Sequence, residues 1–374
     1  MKEISDILKA YKEAKTAGKK TALATVVKVE GSSYRQPGAR MLVTEDGVLT
    51  GAISGGCLEG DALRKALLSI QQQQNKLITY NTSNEDDIEI GLQLGCNGIV
   101  HILFEYINDE IQNNPIWLLQ ELEKERKAAV VITLFSIQKY TEQIGTVLFY
   151  RDEMSLLYQN ENALELLSEA KEVLKNKTTI IKKINEESQT EALIECINPP
   201  TALIIAGAGN DVQPLEKIAV LLGWEVTIGD GRAAYATSKR FPEAKKVLTI
   251  KAADFLQNIT IDAQTYFVLM THNYKYDLEM LKQLLESNCK YIGILGPKTK
   301  LDRMIDDLSN EGIKITEEQL SRIYGPIGLD VGAETSEEIA LAITAEIKAV
   351  MSVKNGASLK YKVGKIHSTT TYVG

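Results

Sequence analysis

The sequence predicts an α/β protein in two parts, an N-terminal mixed α/β domain followed by an open, doubly wound sheet of parallel strands. Three observations lead there. From residue 201 onward, short apolar strand-like runs alternate with helical ones, as parallel sheets require. The first of those strand-to-helix junctions is the glycine turn Gly207-Ala208-Gly209. Before residue 106, β-rich runs surround two amphipathic helices.

In chain order, Ile4, Ile7, Leu8, Tyr11 and Ala14 recur at helical spacing, and Gly18 ends that helix. Residues 21–30 read as a buried strand rich in Val and Thr. Asp46-Gly47 joins the next two strands as a hairpin. Leu58 to Gln74 reads as a helix whose four-Gln end is solvated, and KLITYNT and GIVHILFEYI as further strands. Residues 107–198 turn rich in Glu, Lys, Gln and Asn. Strands fit at 129–137 and 145–150 and a helix at 162–175, in what reads as a scaffold extension plus a charged linker ending at Asn198-Pro199-Pro200. After it, residues 201–232 read as strand (202–206), glycine-rich turn, helix and strand, further strands fit at 247–250, 265–270 and 291–295, and helices at 276–287, 299–311 and 335–352. The expected divisions are therefore 1–198, 199–352 and a basic tail, 353–374, carrying Lys354, Lys360, Lys362 and Lys365.

Composition narrows the function. The 374 residues carry 42 Lys+Arg against 50 Asp+Glu, a net charge of −8, with 44% hydrophobic residues. An acidic chain is a poor sequence-independent nucleic-acid binder. No run approaches the roughly 18 apolar residues of a membrane span. The N-terminal helix lacks the unbroken apolar core of a signal peptide. Four cysteines without a C-x-x-C pair fit a reducing cytoplasm better than a disulfide framework. With only His101, His272 and His367 and no close ligand pair, structural zinc is not expected.

Two regions carry candidate chemistry. In the C-terminal half, Gly207 and Gly209 let the chain turn tightly at a helix N-terminus, and Asp230 follows at about the 20-residue spacing of a ribose-binding acid. Strand, turn, helix, strand and Asp in that order predict a Rossmann-like domain. The third small position of the fingerprint is Val212, whose branched side chain should push the helix outward. In the N-terminal half, Gly31 to Arg40 is an irregular loop whose Ser32, Ser33 and Arg35 offer donors to an anion. Ser54-Gly55-Gly56-Cys57-Leu58-Glu59 takes a strand into a helix and leaves Cys57 at a helix start, a position that favours a reactive sulfur. Gly95-Cys96-Asn97-Gly98 is a second cysteine-bearing glycine turn. Cys196 and Cys289 read as small core hydrophobes.

Taken together, these segments resemble the xanthine dehydrogenase accessory protein family (XdhC/CoxI). The likeness covers Gly31–Arg40, Ser54–Glu59 and Gly95–Gly98 at one end. At the other it covers Gly207–Gly209, Asp230-Gly231-Arg232, Thr271-His272, Asp277, Gly293–Gly296 and Pro326–Asp330. Asn210 stands where the family usually has His, Asn273 where it has an acid, and Asn97 where it has Gly. The resemblance implies a chaperone, without turnover, that binds molybdenum cofactor (molybdopterin) and protects it. It implies support for the cofactor's sulfuration by a cysteine desulfurase and its delivery to a xanthine dehydrogenase-type molybdoenzyme, by a cytoplasmic homodimer. On that reading Cys57, with Cys96, faces the molybdenum. Ser32, Ser33, Arg35, Gly55 and Gly56 hold polar groups. Gly207, Gly209, Asp230, Arg232, Thr271 and His272 serve a nucleotide-like part or a separate NAD(P). Two other readings compete: an NAD(P)-dependent oxidoreductase using His272 as general acid, and a nucleotide-sensing binding module. A xanthine dehydrogenase itself is excluded, because the chain is short and lacks the cysteine sets of iron–sulfur clusters.

Overall fold

The computed structural model describes residues 1–81, 98–138, 141–159, 161–185, 187, 189–363 and 371–373. The chain forms two compact units, Met1–Pro199 with Gly364–Gly374, and Pro200–Val363.

The first unit opens with α1 (Lys2–Thr16), which buries Ile4, Ile7, Leu8, Tyr11 and Ala14 along one stripe. Then come β1 (Thr21–Gly31), β2 (Arg40–Thr44) and β3 (Leu49–Gly51). The β2–β3 hairpin turns where Asp46-Gly47 predicts it. The Thr44 hydroxyl meets Asp46 Oδ1 at 2.5 Å, and Gly47 takes φ +86°. After α2 (Glu59–Gln72), β4 (Lys76–Asn81) and β5 (Gly98–Tyr106) complete an antiparallel sheet of order β3-β2-β1-β5-β4. Helix α2 covers one face, where Ala62, Ala66 and Ile70 meet Ala24, Val26, Met41 and Ile102.

Residues 107–198 depart from the expected extension and linker. They build α3 (Pro115–Lys124), β6 (Ala129–Ser136), β7 (Gly145–Tyr150), β8 (Leu156–Tyr158), α4 (Leu167–Asn176), β9 (Ile180–Asn185) and β10 (Thr190–Ile197). This second sheet faces the first. Leu23 and Leu42 pack with Val131, Phe149 and Ile197, and Val27 and Leu103 with Phe135 and Leu193. Two of the acidic residues in that stretch are partners of charges on the first sheet. Lys28 bonds Glu191 at 2.8 Å, and the Arg40 guanidinium, 1% exposed, bonds Glu195 at 2.6 and 3.2 Å. Charged strand residues paired across two sheets look in sequence like solvated ones.

The second unit follows the predicted alternation: β11 (Ala202–Ala206), α5 (Val212–Leu221), β12 (Glu225–Asp230), β13 (Lys246–Thr249), β14 (Thr265–Leu269), α6 (Tyr274–Leu285), β15 (Ile292–Ile294), α7 (Lys298–Asn310), α8 (Glu317–Ser321), β16 (Ile323–Tyr324) and α9 (Ser336–Met351). All pairings are parallel, in the order β13-β12-β11-β14-β15-β16, the Rossmann arrangement. Helices α5 and α9 cover one face and α6 and α7 the other. Val212 is fully buried at the start of α5, inside the layer it was expected to prop open. Helix α9 begins with a complete capping box between Thr335 and Glu338. The end of the chain returns to the first unit, where β17 (Thr371–Val373) pairs in parallel with β9. The second sheet of that unit then runs β17-β9-β10-β6-β7-β8.

No helix among the described residues is long and apolar enough to cross a membrane.

Candidate functional site

In the first unit the loop between β3 and α2 is organised by Ser54. Its backbone N–H donates to Glu59 Oε1 at 2.9 Å and its hydroxyl to Glu59 Oε2. The same oxygen accepts from the N–H groups of Gly56 and Leu58, both at 3.1 Å, and from the Cys57 thiol at 3.5 Å. A buried serine thus ties together the N–H groups of the loop that leads into α2 and holds the Cys57 thiol. Gly56, at φ +106°, has open space where a side chain would be. Gly55 lies against the ring of Tyr34, and a Cβ there would sit 3.4 Å from it. Cys57 is half-buried, with its apolar side on the α2 core. Tyr34, 67% exposed, stands as an aromatic wall beside Gly55.

Other predicted residues of this half divide. Ser32 is exposed and Ser33 half-exposed; the Ser32 carbonyl crosses so close to Gly98 that a side chain on Gly98 would collide with it. Arg35 is drawn away, its guanidinium paired with Glu3 of α1, which also accepts from the Arg40 N–H at 2.9 Å. Cys96 lies outside the described residues. Among the described residues no group of three or more His, Cys, Asp or Glu is placed to hold a metal ion.

In the second unit the predicted residues gather at the carboxyl ends of the parallel strands, where open sheets bind ligands. The two glycines of the turn are needed by the chain itself. Gly207, at φ +126°, passes so close to Met270 that a Cβ would strike its carbonyl. Beside Gly209 the missing side chain is replaced by the Asp211 carboxylate. That carboxylate bonds His272 Nε2 at 2.8 Å. His272 is 61% exposed and holds the left-handed backbone at φ +55°, a strained state for a non-glycine residue. Thr271 faces inward, its hydroxyl 2.6 Å from Asp277 Oδ1, and the Lys300 ammonium bonds Asp277 Oδ2 at 2.7 Å.

Asp230 is 3% exposed and fully engaged. Oδ1 accepts from Arg232 N–H at 2.9 Å and Arg232 Nε at 3.0 Å; Oδ2 accepts from Ala208 N–H at 2.9 Å and Arg232 Nη2 at 2.7 Å. Burial pushes this carboxyl up, and the hydrogen bonds from Arg232 and Ala208 outweigh it, holding the group below the usual aspartate value. A ribose hydroxyl would find its acceptor sites taken, and a pyrophosphate over Gly209 would meet Asp211. In this arrangement the residues do not fit a dinucleotide. Sequence reasoning missed Arg240, whose guanidinium clasps the turn through Ala208 O at 2.7 Å and Asn210 Oδ1 at 2.8 Å. It missed Asp211 as well, although an acid two residues after Gly209 was a visible signal.

Comparisons with known proteins follow the same two regions. Residues 14–81 match the model of the XdhC and CoxI family, and residues 203–347 that of the XdhC Rossmann domain. A Bacillus subtilis (strain 168) protein, described as a probable xanthine dehydrogenase subunit, is 30% identical over 325 residues, covering 87% of this chain and 91% of that protein. The molybdenum cofactor insertion chaperone PaoD of Escherichia coli (strain K12) is 23% identical over 345 residues, 92% of this chain and 87% of that one. A crystal structure described as a xanthine dehydrogenase from Bacillus halodurans aligns with a TM-score of 0.75 at 30% identity, covering 95% of this chain and 98% of its own. Matched in order over the residues that build the glycine loop and the strand edge, the chain belongs to the XdhC and CoxI family.

Proposed function

We propose that this protein is an accessory chaperone that binds molybdenum cofactor, protects it, supports its sulfuration by a cysteine desulfurase and delivers it to a xanthine dehydrogenase-type molybdoenzyme. The observation that carries the reading is the Cys57 loop, a half-exposed thiol held by Ser54 and preceded by the bare backbone of Gly55 and Gly56, with the Tyr34 ring against Gly55. The cargo supplies its own dithiolene and phosphate, so one soft sulfur suffices to meet the metal. Ser54 and Glu59 position Cys57. Gly55 and Gly56 admit a bulky ligand, Tyr34 shields one side from water, and Ser32 and Ser33 offer hydroxyls. Cys96 serves as a second thiol toward the cargo. In the second unit His272, the outer face of the Arg232 guanidinium, Thr271 and the Gly207–Gly209 turn form a rim of their own that offers donors to an anionic group. The protein works in the cytoplasm as a homodimer and performs no turnover.

Neither the dinucleotide oxidoreductase nor the nucleotide-sensing reading gains from a strand edge whose acid is already paired. The PaoD relative, described as a molybdenum cofactor insertion chaperone, supports the carrier reading.

The test is metal content after gentle anaerobic purification from cells that make the cofactor. Molybdenum is expected to co-purify with the wild type and to fall about tenfold or more in Cys57→Ala, the scale of losing one metal-site contact. Equal molybdenum in both would remove Cys57 from the site; none in either would remove the carrier reading.

A further inference from the structure

The second unit, Pro200–Val363, carries two features outside the site described so far, and their chemistry is complementary. The first is a cavity of about 360 Å³, walled by the turn Pro326–Asp330 beyond the carboxyl ends of β15 and β16. Its walls are aliphatic, from Leu295 and Ile327 on the strand side to Leu329 and, on α9, Ile339. They are also braced. Gly328, at φ +102°, lies so near α9 that an added Cβ would come 3.1 Å from that of Ala342. Its N–H donates to Glu346 Oε2 at 3.1 Å. Asp330 is the one charged residue among the described residues that line the cavity. It is exposed, and among the described residues no donor meets its carboxylate. The turn that follows carries two further exposed acids, Glu334 and Glu337.

The second feature is the segment after α9. Val353 leaves the helix in the left-handed region, at φ +52°, and Gly356 passes against the cavity wall, where a Cβ would come 2.9 Å from a Leu329 methyl. Ser358 then caps a single 3-10 turn, Leu359–Tyr361. That turn holds apolar side chains in water: Leu359 is 61% exposed, Tyr361 76% and, just beyond, Val363 98%. Lys360 and Lys362 alternate with them, Lys354 lies upstream, and residues 352–363 contain no acid. Apolar side chains presented together in this way mark a contact surface. A strip of apolar residues set between lysines matches an aliphatic slot under an acidic rim in both shape class and charge.

We propose that the cavity takes the Leu359 turn of a second copy of this chain, with Leu359 between Leu295, Ile327 and Ile339 and Lys360 on Asp330, and that the second copy receives the turn of the first in the same way. One exchange thus makes two equal contacts, the self-complementary arrangement of a closed two-fold dimer. Affinity comes from removing the leucine from water, while the lysine–carboxylate pair at an exposed rim fixes register. The proposal rests on the homodimer in the reading above and names its contact; it does not depend on the cargo.

The experiment is sedimentation equilibrium of the full chain over a range of concentrations, for wild type, Leu359→Asp, Asp330→Lys and the exchanged pair Asp330→Lys with Lys360→Asp. All three side chains are exposed, so the variants should fold as the wild type does, and circular dichroism checks it. The wild type should dimerise. Leu359→Asp should weaken the dimer at least about tenfold, because it puts a charge where an aliphatic anchor was buried. Asp330→Lys should weaken it about fivefold or more, since two rim pairs are lost together, and the exchanged pair should return near the wild-type value. A wild type that is monomeric at every concentration overturns the proposal and the homodimer with it. A dimer that neither single change weakens overturns the proposal alone and puts the contact on another surface. A loss in Asp330→Lys that Lys360→Asp does not repair overturns the pairing, and with it the proposal. Molybdenum content, read on the same samples, decides the carrier reading separately in each case.

Discussion

Replacing Arg40 by Ala is expected to lower the stability of the first unit by about 3–5 kcal/mol, the cost of leaving a buried charge without its partner. Arg40 is 1% exposed in β2, and its guanidinium crosses to Glu195 in β10 while also donating to Gly38 O at 2.9 Å. Its loss strands a carboxylate and a carbonyl between the two sheets. The pair itself need not be worth that much against an apolar substitute. Arg40→Met with Glu195→Leu should therefore recover most of the loss, whereas either single change should not. Urea unfolding of the full chain, followed by hydrogen exchange in β2 and β10, reads wild type, Arg40→Ala, both single changes and the double variant. A single Arg40→Ala within about 1 kcal/mol of wild type would show that the pair sits in a far more polar setting than its burial implies.

The second large effect is a pH dependence set by Glu105. This carboxylate in β5 is 1% exposed, and accepts from the Thr146 N–H at 2.6 Å and the Thr146 hydroxyl at 2.9 Å. Burial pushes it up to about 7, against the lowering pull of the Thr146 hydrogen bonds and the Arg40 charge. An unfolded glutamate titrates near 4.5, so between those values the folded chain holds a proton that the unfolded chain has released. The stability tied to this group is present in full below about pH 4.5 and is lost as pH rises through 7. The total change is on the order of 3 kcal/mol. Glu105→Gln removes the titration and should flatten that part of the profile, so that the variant gains on wild type between pH 5 and pH 8. Parallel profiles for the two proteins over that range would contradict the assignment.

The second unit was legible because its signals are local. Parallel strands buried on both faces read as unbroken apolar runs, and Gly207, Gly209 and Asp230 mark the turn and the strand end without help from the rest of the chain. The first unit hid half its structure. Glu191 and Glu195 face inward only because Lys28 and Arg40 lie opposite them on another sheet, more than 150 positions earlier in sequence. No pattern within β10 announces that pairing. The candidate site shows the same split. Ser54 to Glu59 could be found from glycine, serine and cysteine at a strand-to-helix junction. That Asp230 is occupied by Arg232, and Arg35 by Glu3, follows from side-chain geometry that spacing does not encode. Asp211 and Arg240 escaped notice because each acts through a neighbour, His272 in one case and the glycine turn in the other.

The central claim is that the Cys57 sulfur meets the molybdenum of the cargo, and X-ray absorption at the molybdenum edge addresses it directly. The loaded wild type should show one more sulfur around the metal than the cofactor alone supplies, and Cys57→Ala, loaded to the same level with excess cofactor, should lack it. An identical metal environment in the two loaded proteins would contradict the account.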